Sequence, residues 1–298
     1  LKSNSVKRIL FIINPKSGRG QQQNVDEIIS SYSKQEGFEY EVYKTTGKED
    51  TKEITRLIED FKPEIVMAAG GDGTINMVAV TLLETDIALG IIPAGSANGL
   101  AYNLDIPENF EEALKKNLRD EARPIDVIKI NDTHYCLHLA DIGLNARIVK
   151  RFEKEGSKGL LGYGKQLFKE LFEGKTYFSF YIKLPEHRRR KIKAEMLVIA
   201  NAKSFGTGAI INSTGKLNDG KFEIIIIRSY PWWFVFTFVY AAFAGKLHKM
   251  KYVRVYSATE AEITLPEAQE FQIDGEVLPE TKKVKVEIIP EALHVHGA

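Results

Sequence analysis

Up to about Ile125, apolar runs of strand length alternate with stretches whose apolar residues recur at helical spacing. "RILFIINP" (Arg8–Pro15) is a short apolar run stopped by a proline, and helical "NVDEIISSYSKQ" follows it. "YEVYKT" alternates as a strand does, and "TKEITRLIEDF" opens with Thr51 as a cap and carries Ile54, Leu57 and Ile58 on one helical face. "EIVMAAG" is again a strand, "INMVAVTLLE" a helix and "ALGIIPAG" a strand. Repeated β-α-β units with continuously apolar strands predict a parallel sheet covered on both faces. In such sheets ligands bind beyond the carboxyl ends of the strands, where "NPKSGRG", "GGDGT" and "PAGSANG" all fall.

Beyond Ile125 the pattern changes. "DVIKIN", "THYCLHLADIG", "YFSFYIKL", "EMLVIANA", "KFEIIIIRS", "VRVYSATEAEITL", "FQIDGEVL" and "KVKVEIIP" read mostly as strands, with helices around Tyr163–Phe172 and Trp233–Ala244. Many strands separated by turn residues predict a β-sandwich. The boundary falls near Asp126, giving domains 1–126 and 127–298, with a return of the last residues to the first domain left open. No flexible linker composition marks the boundary, so two closely meeting domains with a cleft between them are expected.

Composition narrows the function. Lys and Arg number 41 against 40 Asp and Glu, so no overall basic field argues for nucleic acid. A single cysteine, Cys136, excludes an internal disulfide framework and fits a reducing compartment. The N-terminus "LKSNSVKRILFII" lacks the order of a signal peptide, so a cytoplasmic protein is expected. The apolar run that begins at Pro231 is shorter than the roughly 20 residues needed to cross a bilayer. It reads as a core or inter-domain helix started by Pro231 and ended near Gly245. The alternative is a face for transient membrane contact, with Trp232 and Trp233 at the interface and Lys246, Lys249 and Lys251 near headgroups.

The loops carry the candidate chemistry. Gly18 and Gly20 let backbone N–H groups approach an anion, and Lys16 and Arg19 add positive charge. Thr74 and Asn76 offer a hydroxyl and an amide at the start of a helix, whose positive end favours an anion. Asp72 at the same place would repel phosphate unless a divalent cation lies between them; otherwise it is a helix cap. Pro93 and Gly95 break the next strand, Ser96 can cap or bond a phosphate, and Asn98 offers amide contacts. In "KLNDGKFEI", Asp219 and Gly220 read as a hairpin turn or a hard-cation site. In "FQIDGEVLP", Asp274 and Glu276 are solvated hairpin residues or, facing the cleft, a metal-orienting acid and a proton acceptor. His134 and His138 suggest strand packing, His294 and His296 a terminal tail, and "EHRRRKIK" a solvated loop or a stretch that attracts anionic lipid headgroups.

Taken together, "NPKSG", "GGDGTIN", "PAGSANGLA", "LNDG" and "IDGE" resemble, in order and over almost the whole chain, the diacylglycerol kinase catalytic family, which includes bacterial lipid kinases and sphingosine kinases. The resemblance implies an N-terminal doubly wound α/β domain of the phosphofructokinase and NAD-kinase type, and a C-terminal β-sandwich that receives lipid. It implies ATP and Mg2+ as cofactors. Asn14, Pro15, Lys16, Ser17, Gly18, Thr45, Gly70, Gly71, Asp72, Gly73, Thr74, Ile75, Asn76 and Ser96 match its nucleotide-binding positions. Asp72 matches the acid tied to magnesium–ATP, Glu276 the proton acceptor, and Asp274 its metal-network partner or rival base. Asp219, with the carbonyls of Lys216 and Lys221, matches a structural magnesium site, and Asp126 an acid of the metal network. One departure is Gly99, where many bacterial members place a second acid; the Gly95-Ser96-Ala97-Asn98 form is similar to sphingosine kinases. The resemblance makes a lipid at a membrane surface the expected partner, with a homodimer through exposed sheet edges as a further option. A soluble-metabolite kinase sharing only "GGDGT", and a relative that binds without turnover, are the alternatives.

Overall fold

The computed structural model describes residues 6–17, 24–143, 177–205, 208–231 and 233–297. Gly18, Arg19, Gly20, Trp232 and the helix expected at Tyr163–Phe172 lie outside them. The chain divides into two compact units, Leu1–Ile125 with Ala292–Ala298, and Asp126–Glu291.

The first unit contains β1 (Arg8–Ile13), α1 (Val25–Glu36), β2 (Glu39–Lys44), α2 (Asp50–Phe61), β3 (Ile65–Gly70), α3 (Asp72–Leu82), β4 (Ala88–Pro93), α4 (Gly99–Asn103) and α5 (Phe110–Arg119). Its strands pair in parallel in the order β4-β3-β1-β2. β3 and β4 are buried at every position, as strands covered on both faces must be. β2, at the edge, alternates instead. On α5, Asn117 replaces a missing strand neighbour: its amide accepts from Ile91 N–H at 3.0 Å and donates to Ile91 C=O at 2.8 Å, both on β4.

Two local expectations change. Thr51 is not the cap of α2, because the helix starts one residue earlier, at Asp50, after Glu49. Asp50 turns its carboxylate back onto the N–H groups of Thr46 and Gly47, at 2.9 and 2.8 Å, and so closes the loop after β2. His296 is also no tail residue. It is buried near the end of a long last strand, where Val295 pairs with Leu89 of β4.

The second unit is antiparallel. It uses β5 (Ala122–Ile130), β6 (His134–Cys136), β7 (Leu139–Gly143), β8 (Phe178–Leu184), β9 (His187–Ala194), β10 (Met196–Ala200) and β11 (Phe222–Ile227). A helix, α6 (Phe234–Phe243), precedes β12 (Val253–Ala258), β13 (Glu260–Ile273) and β14 (Glu276–His296), the last of which runs on into the first unit. The strand order β12-β11-β10-β7-β13 forms one layer. β13 shifts register between Thr264 and Phe271; its first half pairs with β8 and its second with β7, so it passes from one layer to the other. Phe180, Phe222, Phe271, Ile263 and Val284 fill the core between layers. β10 and β11 are buried throughout because their outer face is covered by α6 through Phe234, Phe238, Ala241 and Ala242. From His187 on, "EHRRRKIK" is corrected from loop to strand: it lies in β9, which among the described residues pairs only with β8, and its cations disfavour further pairing at that edge.

Candidate active site

β1 to β4 are parallel, so their carboxyl ends share one edge of the first unit. The strand order reverses between β1 and β3, the kind of switch point beside which loops splay and ligands bind. The loops begin in register with the sheet. Asn14 N–H donates to Ala69 C=O at 2.9 Å, Thr45 N–H to Ile13 C=O at 2.9 Å, and Ala94 N–H to Gly70 C=O at 2.8 Å.

Asn14 ties the first loop to the third. Its amide donates to Thr74 Oγ1 at 3.1 Å and its carbonyl accepts Lys16 N–H at 3.0 Å. Pro15 and Lys16 are exposed, while Ser17 and Thr45 are half-buried. Gly71, not Asp72, caps α3; it holds extended backbone, and Asp72 is the first helical residue. The capping alternative for Asp72 is therefore set aside, and its carboxylate lies in the first turn, beside N–H groups that have no intrahelical acceptor. Ile75 contributes no contact group: its side chain is buried and its N–H bonds Gly71 C=O at 3.0 Å. Thr74 is buried, and Asn76, two positions further along α3, is half-buried.

The glycines serve packing between loops as much as approach to an anion. A Cβ on Gly95 would stand 2.6 Å from Gly71 Cα, and one on Gly70 would stand 2.5 Å from Thr74 Cβ. The third and fourth loops thus touch backbone to backbone, which leaves no room for side chains there. Asn98 is not a free amide contact. It adopts a left-handed backbone and locks its own loop, accepting Gly95 N–H at 2.7 Å and donating to Gly95 C=O at 3.1 Å. Ser96 is exposed at the loop tip, and Gly99 is buried at the start of α4.

In the second unit Asp274 and Gly275 form the two-residue turn between β13 and β14, both with positive φ, so Glu276 pairs with Ile273. Asp274 is not a solvated hairpin residue. Its carboxylate is buried and accepts the N–H groups of Leu137, His138 and Leu139 at 2.7, 3.0 and 3.1 Å, with His138 Nδ1 at 2.7 Å. Burial alone would raise its pKa, but the charge of His138 and these bonds outweigh it and bring the carboxyl down to about 2. An acid so low and so enclosed is a poor proton acceptor, so the rival-base reading of Asp274 gives way to one of anchoring. The same N–H groups explain why "THYCLHLADIG" splits into β6 and β7 at Leu137–His138. Gln272 steadies the turn from within, accepting Gly275 N–H at 2.7 Å and donating to buried Asp141. Glu276 itself is exposed.

Asp126 is buried and fastens two segments: Oδ2 accepts Gly220 N–H at 2.7 Å and Oδ1 accepts Glu291 N–H at 2.9 Å. Its own N–H donates to Leu217 C=O at 2.6 Å. The "LNDG" turn leads into β11 without a strand directly before it, so it is not a hairpin. Asp219, Lys216 and Lys221 are exposed there. Burial, and then the charge of Asp219, push up the nearby Glu223 carboxyl. Among the described residues, no three His, Cys, Asp or Glu side chains cluster to hold a metal. Cys136 is inert: burial first, and then Asp274, raise its thiol well above the ordinary range.

The pairing of His138 with Asp274, and the role of Gln272, are not legible in the sequence because each is one polar residue in an apolar strand pattern. Asp141, an acid inside "LADIG", was the one visible anomaly.

A parallel sheet with glycine loops at its carboxyl edge, joined to an antiparallel sandwich, defines a family. Residues 8–130 match the diacylglycerol kinase catalytic domain, and residues 141–297 match the YegS C-terminal NAD kinase β-sandwich-like domain. The chain belongs to this family of lipid-kinase-type proteins. It is 29% identical to a protein of Pectobacterium atrosepticum named probable lipid kinase YegS-like, over 96% of this chain and 94% of the other. A Klebsiella pneumoniae protein of the same name is 30% identical over 87% of this chain and 86% of its own. The fold matches a crystal structure of a diacylglycerol kinase from Bacillus anthracis with a TM-score of 0.72 at 21% identity, covering 97% of this chain and 96% of that one. It also matches yeast NADH kinase, with a TM-score of 0.52 at 10% identity, over 98% of this chain and 84% of that one.

Proposed function

We propose that the chain is an ATP-dependent lipid kinase that transfers the γ-phosphoryl group of ATP to a lipid hydroxyl. The observation that carries this reading is the joining of two loops at the switch point by Asn14 and Thr74, with Asp72 in the first turn of α3. A helix N-terminus attracts phosphate and an adjacent carboxylate repels it, so the pair is productive only with a divalent cation between them. The residues therefore fit magnesium–ATP, which supplies the transferable phosphoryl group and neutralises its charge. The second reading, a kinase of a soluble metabolite, has only the shared fold in its favour.

The chain's own groups have separable roles. The N–H groups of the α3 first turn and the Asn14–Lys16 backbone cradle phosphate oxygens. Asp72 would hold the cation that neutralises the nucleotide's phosphates. A new bond forms between the lipid hydroxyl oxygen and the γ-phosphorus while the bond to the bridging β–γ oxygen breaks, and ADP leaves. Glu276 takes the hydroxyl proton, and Asp274, fixed by the N–H groups of residues 137–139, holds the turn that carries Glu276. Asp219, with the carbonyls of Lys216 and Lys221, would hold a second, structural cation. Asp126 supports that turn through Gly220.

The test is labelled ATP with magnesium, a lipid-extract arm and an NAD arm. Phosphorylated lipid is the expected product. Glu276→Gln lowers kcat by about 10²–10⁴-fold with its fold intact, and Asp72→Ala abolishes turnover. Label in NAD alone, or near-normal rates for purified Asp72→Ala, would overturn the reading.

A further inference from the structure

Apart from Thr237 and the hydroxyl of Tyr240, α6 carries only apolar side chains, and among the described residues only one side of it packs on the core. Phe234, Phe238, Ala241 and Ala242 pack onto the core of the second unit. On the other side Trp233, Phe236, Tyr240 and Phe243 are 61%, 70%, 66% and 59% exposed. Their spacing of three, four and three residues makes a continuous stripe along the helix. Among the described residues eight large apolar side chains are exposed, and five of them belong to this helix or the residue before it. Exposed apolar surface gathered in one place marks an interaction site, whereas scattered single residues do not.

Charge says what kind. Between Glu223 and Glu260 the sequence holds no Asp or Glu, against Arg228, Lys246, Lys249, Lys251 and Arg254. The chain as a whole is balanced, so this excess is local. Lys246, His248, Lys249 and Lys251 are all exposed. Gly245, with φ +65, turns the chain back at the helix end, and Lys246 N–H bonds Ala241 C=O at 2.8 Å, which sets the cations directly after the stripe. Aromatic rings beside lysines and no acid match the boundary between acyl chains and anionic headgroups. A two-fold dimer through the same face would instead bring like cations together.

We infer that the outer face of α6, with Lys246, Lys249 and Lys251, docks the protein on an anionic phospholipid surface. The inference deepens the lipid-kinase reading and rests on it for its purpose, because it would bring the enzyme to the bilayer that holds its acceptor. It can fail separately.

The experiment is flotation of the full chain with vesicles of phosphatidylcholine alone, or of phosphatidylcholine and phosphatidylglycerol in equal parts. Binding favours the anionic vesicles and weakens as salt rises. Phe236→Ser/Tyr240→Ser lowers partition to both by about tenfold. Lys246→Glu/Lys249→Glu lowers partition to anionic vesicles by more than about tenfold and leaves the neutral ones unchanged. Both variants keep wild-type circular dichroism and wild-type transfer to a detergent-dispersed short-chain diacylglycerol. Absence of flotation, equal binding to both vesicles, or variants that float like wild type would overturn the inference. So would a dimer that Phe236→Ser/Tyr240→Ser dissociates without any flotation. Flotation without transfer to any lipid would sink the kinase reading and leave the docking face standing; transfer without flotation would do the reverse.

Discussion

Asp274 and His138 share a buried contact of 2.7 Å, and the carboxylate also takes three backbone N–H groups. Its folded pKa of about 2 lies below the ordinary 3.8. A depressed carboxyl stabilises the fold above its unfolded pKa and loses that contribution as pH falls through the folded value. The shift corresponds to about 2 kcal/mol. Asp274→Asn is therefore less stable than wild type at pH 6, and the gap in urea midpoint narrows once the pH drops below about 4. A gap that stays constant down to pH 3 would contradict the anchoring role. Gly95 makes a different residue-scale case, because its neighbour is the Gly71 backbone, which has no flexible end to move. A Cβ at 2.6 Å from Gly71 Cα forces the two loops apart. Gly95→Ala is expected to cost about 1–3 kcal/mol and to raise the KM for ATP more than it lowers kcat; thermal unfolding and ATP titration check both.

At the scale of elements, periodicity located most strands and helices, and two of its boundary errors share one cause. A residue's partner, rather than its own propensity, decided where an element broke. Leu137–His138 leave the sheet because Asp274 takes their N–H groups. Helix α2 begins at Asp50 because its carboxylate is bonded to the preceding loop. The end of β14 depends on a titratable partner. His296 is buried, with Nδ1–H donating to Asp120 C=O at 2.7 Å, and burial lowers its pKa from the ordinary 6.5. The folded state favours the neutral ring, so this contribution is present above about pH 6.5 and is lost as pH falls below it. The wild-type unfolding temperature should fall between pH 7.5 and 5.5 more steeply than that of His296→Gln. Equal slopes would show that the ring does not couple to folding.

At the scale of the whole molecule, the five loop motifs resemble the family's in order, and the family matches over residues 8–130 and 141–297 bear that resemblance out. The sequence by itself determined the α/β and sandwich classes, the loops that follow the parallel strands, and an apolar helix too short to span a bilayer. Among the described residues no helix is long and apolar enough to cross one. Only tertiary structure decided that Gly71 and Gly95 touch, that Asn14 bonds Thr74, that Asp274 is enclosed while Glu276 is exposed, and that Phe236, Tyr240 and Phe243 of α6 are exposed. The physical reason is range. Strand and helix periods, turns and breakers act within about ten residues, whereas these four outcomes turn on what packs against a residue from distant parts of the chain. His138 meets an acid 136 positions away, and no local pattern records that distance.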